Sequence, residues 1–289
     1  MFQRSRFLVG AISVVAILAG RVSAQSEIKG QKVLSAGHSF HYFMPPVLAD
    51  IAKRAKIEGH TQLGLSAIGG SRVIQHWQVP SAKNKVKEVL LTGNADVFTM
   101  SPIHLPDEGI ENFVRRALED SPKTRIYLQE NWLPFDIYDT TFKQRPKTVD
   151  HNAPTVEELR KLHEPYFKGL DDHVKELNEK YKTKNVHVAP VGQAVILLRE
   201  RIIAGQAPGL KEQNDLFTDA IGHAKAPLVA QVAYCYYALI YKQSPVGLPV
   251  PAVLEKSPEN EKLNRMLQEI AWQAVTSHPL SGVRADEQK

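Results

Sequence analysis

The sequence predicts an α/β protein, a three-layer α/β/α sandwich around a mostly parallel five-stranded sheet. Three observations predict it. Five short apolar runs of strand length alternate with longer stretches of helical periodicity. The chain has 289 residues and is 43% hydrophobic, enough for one sizeable core. Its eighteen prolines and seventeen glycines are dispersed, and no linker rich in them divides the chain.

The elements follow in order. The run Lys32-Val33-Leu34-Ser35-Ala36 reads as a buried strand. A helix is expected from Pro45 to Ile57, with prolines in its first turn, Val47, Ile51 and Ala55 at helical spacing, and Gly59 just past its end. Thr61 to Ala67 is the second strand, Ala82 to Leu91 a helix with lysines outward, and Ala95 to Met100 the third strand. Asp107 and Glu108 open a helix that runs to Leu118, where acids favour the helix dipole. Thr124 to Gln129 is the fourth strand. The polar stretch from Asn131 to Asn152, with Trp132, Pro134 and Pro146, breaks the rhythm and reads as a long surface loop, the kind that often carries function. Pro154 to Tyr181 is one long helix or two kinked near Pro165. A fifth strand at Val186 to Ala189 and a helix at Ala194 to Ile203 follow. After a loop at Asn214 to Gly222 come an apolar helix, Lys225 to Tyr241, and an amphipathic one, Glu259 to Val275.

The first 24 residues read as a secretory signal peptide. Arg4 and Arg6 precede an uncharged apolar run from Phe7 to Gly20, and Val22-Ser23-Ala24 offers small residues for cleavage before Gln25. An uncleaved anchor is the competing reading, but 14 apolar residues fall short of the roughly 20 that span a bilayer. The expected organisation is therefore a signal peptide at 1–24 and a single domain at 25–289, exported to the periplasm or the medium, with no later membrane span. The leader carries three of the 36 basic residues and no acid, so the remainder holds 33 basic against 31 acidic residues. A net charge of +2 gives no electrostatic footprint for nucleic acid. The single cysteine, Cys235, stands in an apolar stretch and reads as a buried structural thiol.

Ligands of open parallel sheets collect at the carboxyl ends of the strands. That rule selects Gly37 to Phe43, Ile68 to Arg72, Ser101 to Asp107 and Gln129 to Trp132. Ser39 lies where the first strand turns into the first helix, so its hydroxyl and nearby N–H groups can face the cleft. A serine needs a base to become nucleophilic. His223 is the candidate, with Asp219 four residues before it to orient the ring. The bland reading of each is a turn residue and a loop-stabilising pair.

These blocks resemble the SGNH, or GDSL-like, hydrolase superfamily. Val33-Leu34-Ser35-Ala36-Gly37-His38-Ser39-Phe40 is similar to the block that carries its nucleophile, and Ile68-Gly69-Gly70-Ser71 to the glycine block after the second strand. Leu216 to His223 is similar to the late Asp-x-x-His block. The resemblance implies an SGNH-like fold and a serine hydrolase with Ser39, His223 and Asp219 as its catalytic residues. It also implies an oxyanion hole from the N–H groups of Ser39 and Gly70, and no cofactor. The chain departs from the pattern in three places. His38 replaces the aspartate of Gly-Asp-Ser, Asp219 and His223 are four apart rather than three, and Thr99-Met100-Ser101-Pro102-Ile103-His104 stands where Gly-x-Asn-Asp is expected. His104 and Asn131 are candidate substitutes for the missing asparagine donor, and His38 a further cleft residue.

Three functional readings remain. The first is a serine hydrolase of a small-molecule or glycan ester, an acyl or acetyl ester on a carbohydrate, the sugar being suggested by Trp77, Trp132, Phe135 and Tyr138, which fall in or beside loops where aromatic faces can stack on sugar rings. The second is an inactive protein of the same fold that binds a glycan or protein partner. The third is a metal-dependent hydrolase built on His38, His41, His104, His223 and Asp219. Their spacing matches no zinc signature, so no metal site is assigned.

Overall fold

The computed structural model of the protein describes residues 28–255 and 258–287. The expected leader at 1–24 lies outside them. Five strands, β1 (Lys32–Gly37), β2 (Thr61–Ala67), β3 (Val97–Met100), β4 (Arg125–Gln129) and β5 (Val186–Ala189), form one sheet in the order β2-β1-β3-β4-β5. All four pairings are parallel. The helices are α1 (Met44–Arg54), α2 (Val73–Gln78), α3 (Lys85–Leu91), α4 (Glu108–Asp120), α5 (Val156–Lys180), α6 (Val191–Ile203), α7 (Ala226–Tyr241) and α8 (Pro258–Ser277).

The period of two in the strands sorts side chains to two cores. Val33, Val97, Tyr127 and Ala189 face a core completed by α1, α6, α7 and α8. Leu34, Ala36, Phe98, Met100, Ile126, Leu128, Val186 and Val188 face a second core completed by α2, α3, α4 and α5. The result is the expected α/β/α sandwich. Helix α7 is buried all round from Ala230 to Tyr241, which is why its sequence is apolar without a polar face. Cys235 lies within it, fully buried, its thiol pushed up to about 12 by that burial.

Helix α5 is continuous across Pro165, so the two-helix alternative does not occur. Its start is a capping box, Thr155 with Glu158. The region expected as one helix at 82–91 is a 3-10 turn, Ser81–Lys83, followed by α3, because Asn84 accepts from the Val86 and Lys87 N–H groups and starts the helix afresh. The short helix α2 was not expected. Its first N–H groups, Val73 and Ile74, donate to the Asp107 carboxylate at 2.7 and 2.9 Å, a cap supplied from 34 residues away.

Strand β1 is followed by β2 on one side and β3 on the other. The sheet order therefore reverses beside the carboxyl end of β1, where a crevice opens. Ser39 lies at that end.

Candidate active site

Gly37 ends β1, and the chain turns through residues 38–43 into α1. Two backbone bonds close the turn, from the His41 and Tyr42 N–H groups to the His38 carbonyl. Ser39 sits half-buried on its outer side, while His38 and Phe40 point inward. The Ser39 Oγ is 2.8 Å from His223 Nε2. His223 Nδ1 is 2.6 Å from Asp219 Oδ2. The three residues, 184 apart in sequence at the serine and histidine, form one hydrogen-bonded line.

The Asp219–His223 segment is the tip of a small closed loop. An isolated bridge between Phe217 and Ala224 shuts its base, and Thr218 N–H donates to the His223 carbonyl. At the tip the other carboxylate oxygen, Asp219 Oδ1, accepts from the N–H groups of Gly222 and His223, both at 3.1 Å. Gly222 has φ +91, a backbone conformation that L side chains rarely adopt. This turn accommodates the three residues between acid and histidine and still aligns the carboxylate with the ring. Partial burial by itself would raise the Asp219 carboxyl. The bonds from the His223 ring and from the two N–H groups outweigh that and hold it below the usual carboxylate range.

Under Ser39 lies a buried polar chain. His38 Nδ1 accepts from Phe40 N–H at 3.2 Å, so its Nε2–H faces Ser101 Oγ at 3.0 Å. Ser101 donates to Asn131 Oδ1, and Asn131 Nδ2 donates to the Pro102 carbonyl at 2.7 Å. Gln129, at the end of β4, donates to Asn131 and to the Phe40 carbonyl and meets His41 Nδ1 at 2.7 Å. His41 Nε2 is 3.0 Å from Thr99 Oγ1. Burial lowers the His38 ring to about 3 and the His41 ring to about 4, so both stay neutral. The block Thr99 to Ser101 thus serves to hold the floor of the turn. Gln129, Ser101 and Thr99 carry no sequence signal as a set, because they meet only when β1, β3 and β4 pair.

The glycine block after β2 is fixed by His76, whose Nδ1 meets Ser66 Oγ and Nε2 meets Ser71 Oγ, each at 2.7 Å. Gly70 is exposed with φ +60 and open space on its Cα. Among the described residues no protein acceptor takes up the Ser39 or the Gly70 N–H. Ser39, His38, Gly70 and His223 line one cleft of about 500 Å³.

The candidate substitutes for the missing asparagine are placed elsewhere. Asn131 is buried, and its amide hydrogens go to Pro102 and Tyr166. The His104 ring packs on Phe142 and lines two neighbouring cavities rather than this cleft. Nor do the expected stacking aromatics gather there. Trp132 is 1% exposed and stacks on Phe40, and Trp77 packs edge-on to Phe113. Phe135 and Tyr138 line an adjoining cavity of about 310 Å³, and the aromatic rings in the cleft itself are those of Tyr42, Phe40 and Phe142. Among the described residues no group of three or more His, Cys, Asp or Glu side chains is arranged to hold a metal.

The long 131–152 segment grips the histidine loop. Trp132 Nε1–H donates to the Gly222 carbonyl at 2.9 Å, and Phe135 N–H to the Ile221 carbonyl at 3.1 Å. His151 Nε2 lies 3.1 Å from the Asp219 carbonyl. His151 is fixed in turn by Asp136, which also takes both terminal nitrogens of the buried Arg199 at 2.6 and 2.9 Å.

A parallel five-stranded sheet, a serine after its first strand, and an acid and histidine in the loop before a late helix are what the resemblance implied. The fold is the α/β class expected, a five-stranded all-parallel sheet with helices on both faces. No protein-family model matches the chain, and no curated protein matches it. Among solved structures, a candidate SGNH hydrolase from Slackia heliotrinireducens is similar at 15% identity and a TM-score of 0.39, covering 70% of this chain and 96% of its own. A candidate GDSL-like lipase from Parabacteroides merdae is similar at 14% identity and a TM-score of 0.38, covering 72% of this chain and 96% of its own. Phospholipase A1 from Streptomyces albidoflavus shares 9% identity at a TM-score of 0.36, over 68% of this chain and 92% of its own. Among the described residues no helix is long and apolar enough to cross a membrane.

Proposed function

We propose that the protein is an exported serine hydrolase of the SGNH superfamily that cleaves an ester, an acyl or acetyl group on a carbohydrate. The observation that carries this reading is the aligned pair of contacts, 2.8 Å from Ser39 to His223 and 2.6 Å from His223 to Asp219. With Nδ1–H donated to Asp219, the His223 Nε2 lone pair is free to accept the Ser39 proton. Ser39 Oγ attacks the ester carbonyl as that proton moves to Nε2. The carbonyl oxygen takes up negative charge against the N–H groups of Ser39 and Gly70. Collapse expels the alcohol, which takes the proton from His223. Water then enters and gives its proton to Nε2 as its oxygen attacks the acyl carbon, and Ser39 Oγ takes that proton back from Nε2 as the acid leaves.

Two main-chain donors hold the oxyanion in this reading, with no asparagine. One oxyanion donor contributes on the order of 100- to 1000-fold in rate, so a slow enzyme is expected rather than an inert one. The tyrosine and phenylalanine rings at Tyr42 and Phe142 support a sugar at the cleft mouth. Purified protein lacking residues 1–24 is expected to hydrolyse a short-chain aryl ester, and Ser39→Ala to lose that activity. Equal turnover by the two proteins removes the hydrolase reading and favours the binding protein. Export is checked separately, by a mature chain that begins at Gln25.

A further inference from the structure

Resting on the hydrolase reading, we infer that the ester this cleft accepts carries an anionic oxygen group, a carboxylate, sulfate or phosphate, held by Arg145. Among the cleft's lining side chains Arg145 is the one that belongs to Lys, Arg, Asp or Glu; the rest are His38, His223 and uncharged residues. It is exposed, and among the described residues no carboxylate pairs with it. An arginine left unpaired beside a reactive serine raises the local concentration of anions and favours oxyanions over neutral groups.

The side chain is also held in place. Its Nε–H donates to the Phe142 carbonyl at 3.0 Å, and its guanidinium carbon sits 4.6 Å from the centre of the Phe142 ring. With Nε engaged, the edge carrying the two terminal nitrogens stays available for a bidentate oxyanion. The turn beneath is fixed by Asp139. Its carboxylate accepts from the Thr141, Lys143 and Gln144 N–H groups and the Thr141 hydroxyl at 2.6 to 2.9 Å. Those bonds hold that carboxyl well below its ordinary range, so its charge is spent within the turn. Residues 137–149 carry Lys143, Arg145 and Lys147 against Asp139 alone. Arg72, at the neighbouring groove beside Gly70, makes the contrast. Its guanidinium donates to the Pro106 carbonyl at 2.7 Å and lies 3.7 and 3.8 Å from Asp107 and Glu108, so its charge is already met.

The test uses two ester pairs and two readouts. 4-Nitrophenyl hemisuccinate against 4-nitrophenyl acetate places the anion on the acyl side, and 4-acetoxybenzoate against its methyl ester places it on the alcohol side. In wild type the anionic member of at least one pair is preferred. In Arg145→Gln the ratio of kcat/KM, anionic over neutral, falls about 10- to 100-fold for that pair, in line with a charge-assisted bond. Arg145→Lys falls between. The second readout is equilibrium binding of the same anionic ester to Ser39→Ala and to the Ser39→Ala, Arg145→Gln double variant, with about 10-fold or greater weakening in the double variant. A ratio unmoved by Arg145→Gln in both pairs, with turnover still dependent on Ser39, overturns the anion site and leaves the hydrolase reading standing. Absence of turnover with every ester removes the hydrolase reading, and the binding readout then decides the anion site alone.

Discussion

The indole N–H of Trp132 donates to the Gly222 carbonyl at 2.9 Å, while the indole ring stacks on Phe40 at 4.3 Å and 8°. One side chain therefore joins the turn that carries Ser39 to the loop that carries His223. Trp132→Phe keeps an aromatic stack but leaves a buried carbonyl without its donor. An unpaired buried acceptor costs about 1–3 kcal/mol. The expected result is a kcat lower by about 5- to 50-fold, with KM for a small aryl ester changed little, measured by steady-state kinetics. An effect on thermal stability alone contradicts a positioning role.

Asp219 meets the His223 ring with one carboxylate oxygen and its own loop with the other. Asp219→Asn leaves the turn feasible but no longer favours the tautomer with a proton on Nδ1. Loss of such an acid reaches about 10⁴-fold where it is buried. Here the side chain is 46% exposed, so water substitutes in part and about 100- to 1000-fold is expected in kcat. The measurement is kcat at neutral pH beside a melting curve that stays within a few degrees of wild type.

Behind the histidine loop, Asp136 is buried against Arg199 and His151. Burial works to raise its carboxyl, and the bonds from His151 and Arg199 outweigh this and hold it low. Asp136→Ala leaves the Arg199 guanidinium, 1% exposed, without its counter-ion. About 3–5 kcal/mol of destabilisation is expected from denaturant unfolding. Asp136→Asn, which keeps part of the bonding, is expected to cost less.

Burial lowers His60, His104 and His173 and takes five histidines much further below their ordinary range: His38 to about 3, and His41, His76, His163 and His187 to about 4. Each of these five binds a proton near pH 6.5 when unfolded but only near pH 3–4 when folded. The unfolded state therefore holds more protons throughout that window, and stability falls as pH drops from about 6.5. Glu130 runs the other way. Its buried carboxyl is pushed up to about 8, so it costs stability as pH rises from about 4.5 to 8. Five groups against one predict a steep loss of stability on the acid side of pH 6.5 and a shallow one between pH 6.5 and 8. Unfolding free energy measured from pH 6.5 to 4.5 is expected to fall by about 3 kcal/mol per pH unit or more, the uptake of two or more protons. A flat profile in that range contradicts the neutral buried rings.

The strands were legible because a buried parallel strand is a local apolar run. The residues 32–36, 61–67 and 186–189 come within one residue of β1, β2 and β5. Ser39, Gly70, Asp219 and His223 were legible as blocks in order, each at the end of a local element. What stayed hidden depends on partners distant in sequence. Helix α2 is capped by Asp107, His76 pins the Gly70 loop only once Ser66 and Ser71 converge on it, and Gln129 and Ser101 meet His38 and His41 only across the sheet. Asn131 shows the same limit from the other side. Its place at the end of β4 suggested a donor facing the cleft, but Pro102 and Tyr166 take its hydrogens. The 131–152 segment read as a surface loop, and the bonds from Trp132, Phe135 and His151 to the histidine loop carry no local pattern.

The central claim is that His223 activates Ser39. Reaction with a fluorophosphonate, located by peptide mass spectrometry, tests it most directly. The account predicts one label per chain, on Ser39, lost in Ser39→Ala and slowed by at least about 100-fold in His223→Ala. An unlabelled wild-type protein, or a label that persists at another residue in Ser39→Ala, contradicts it.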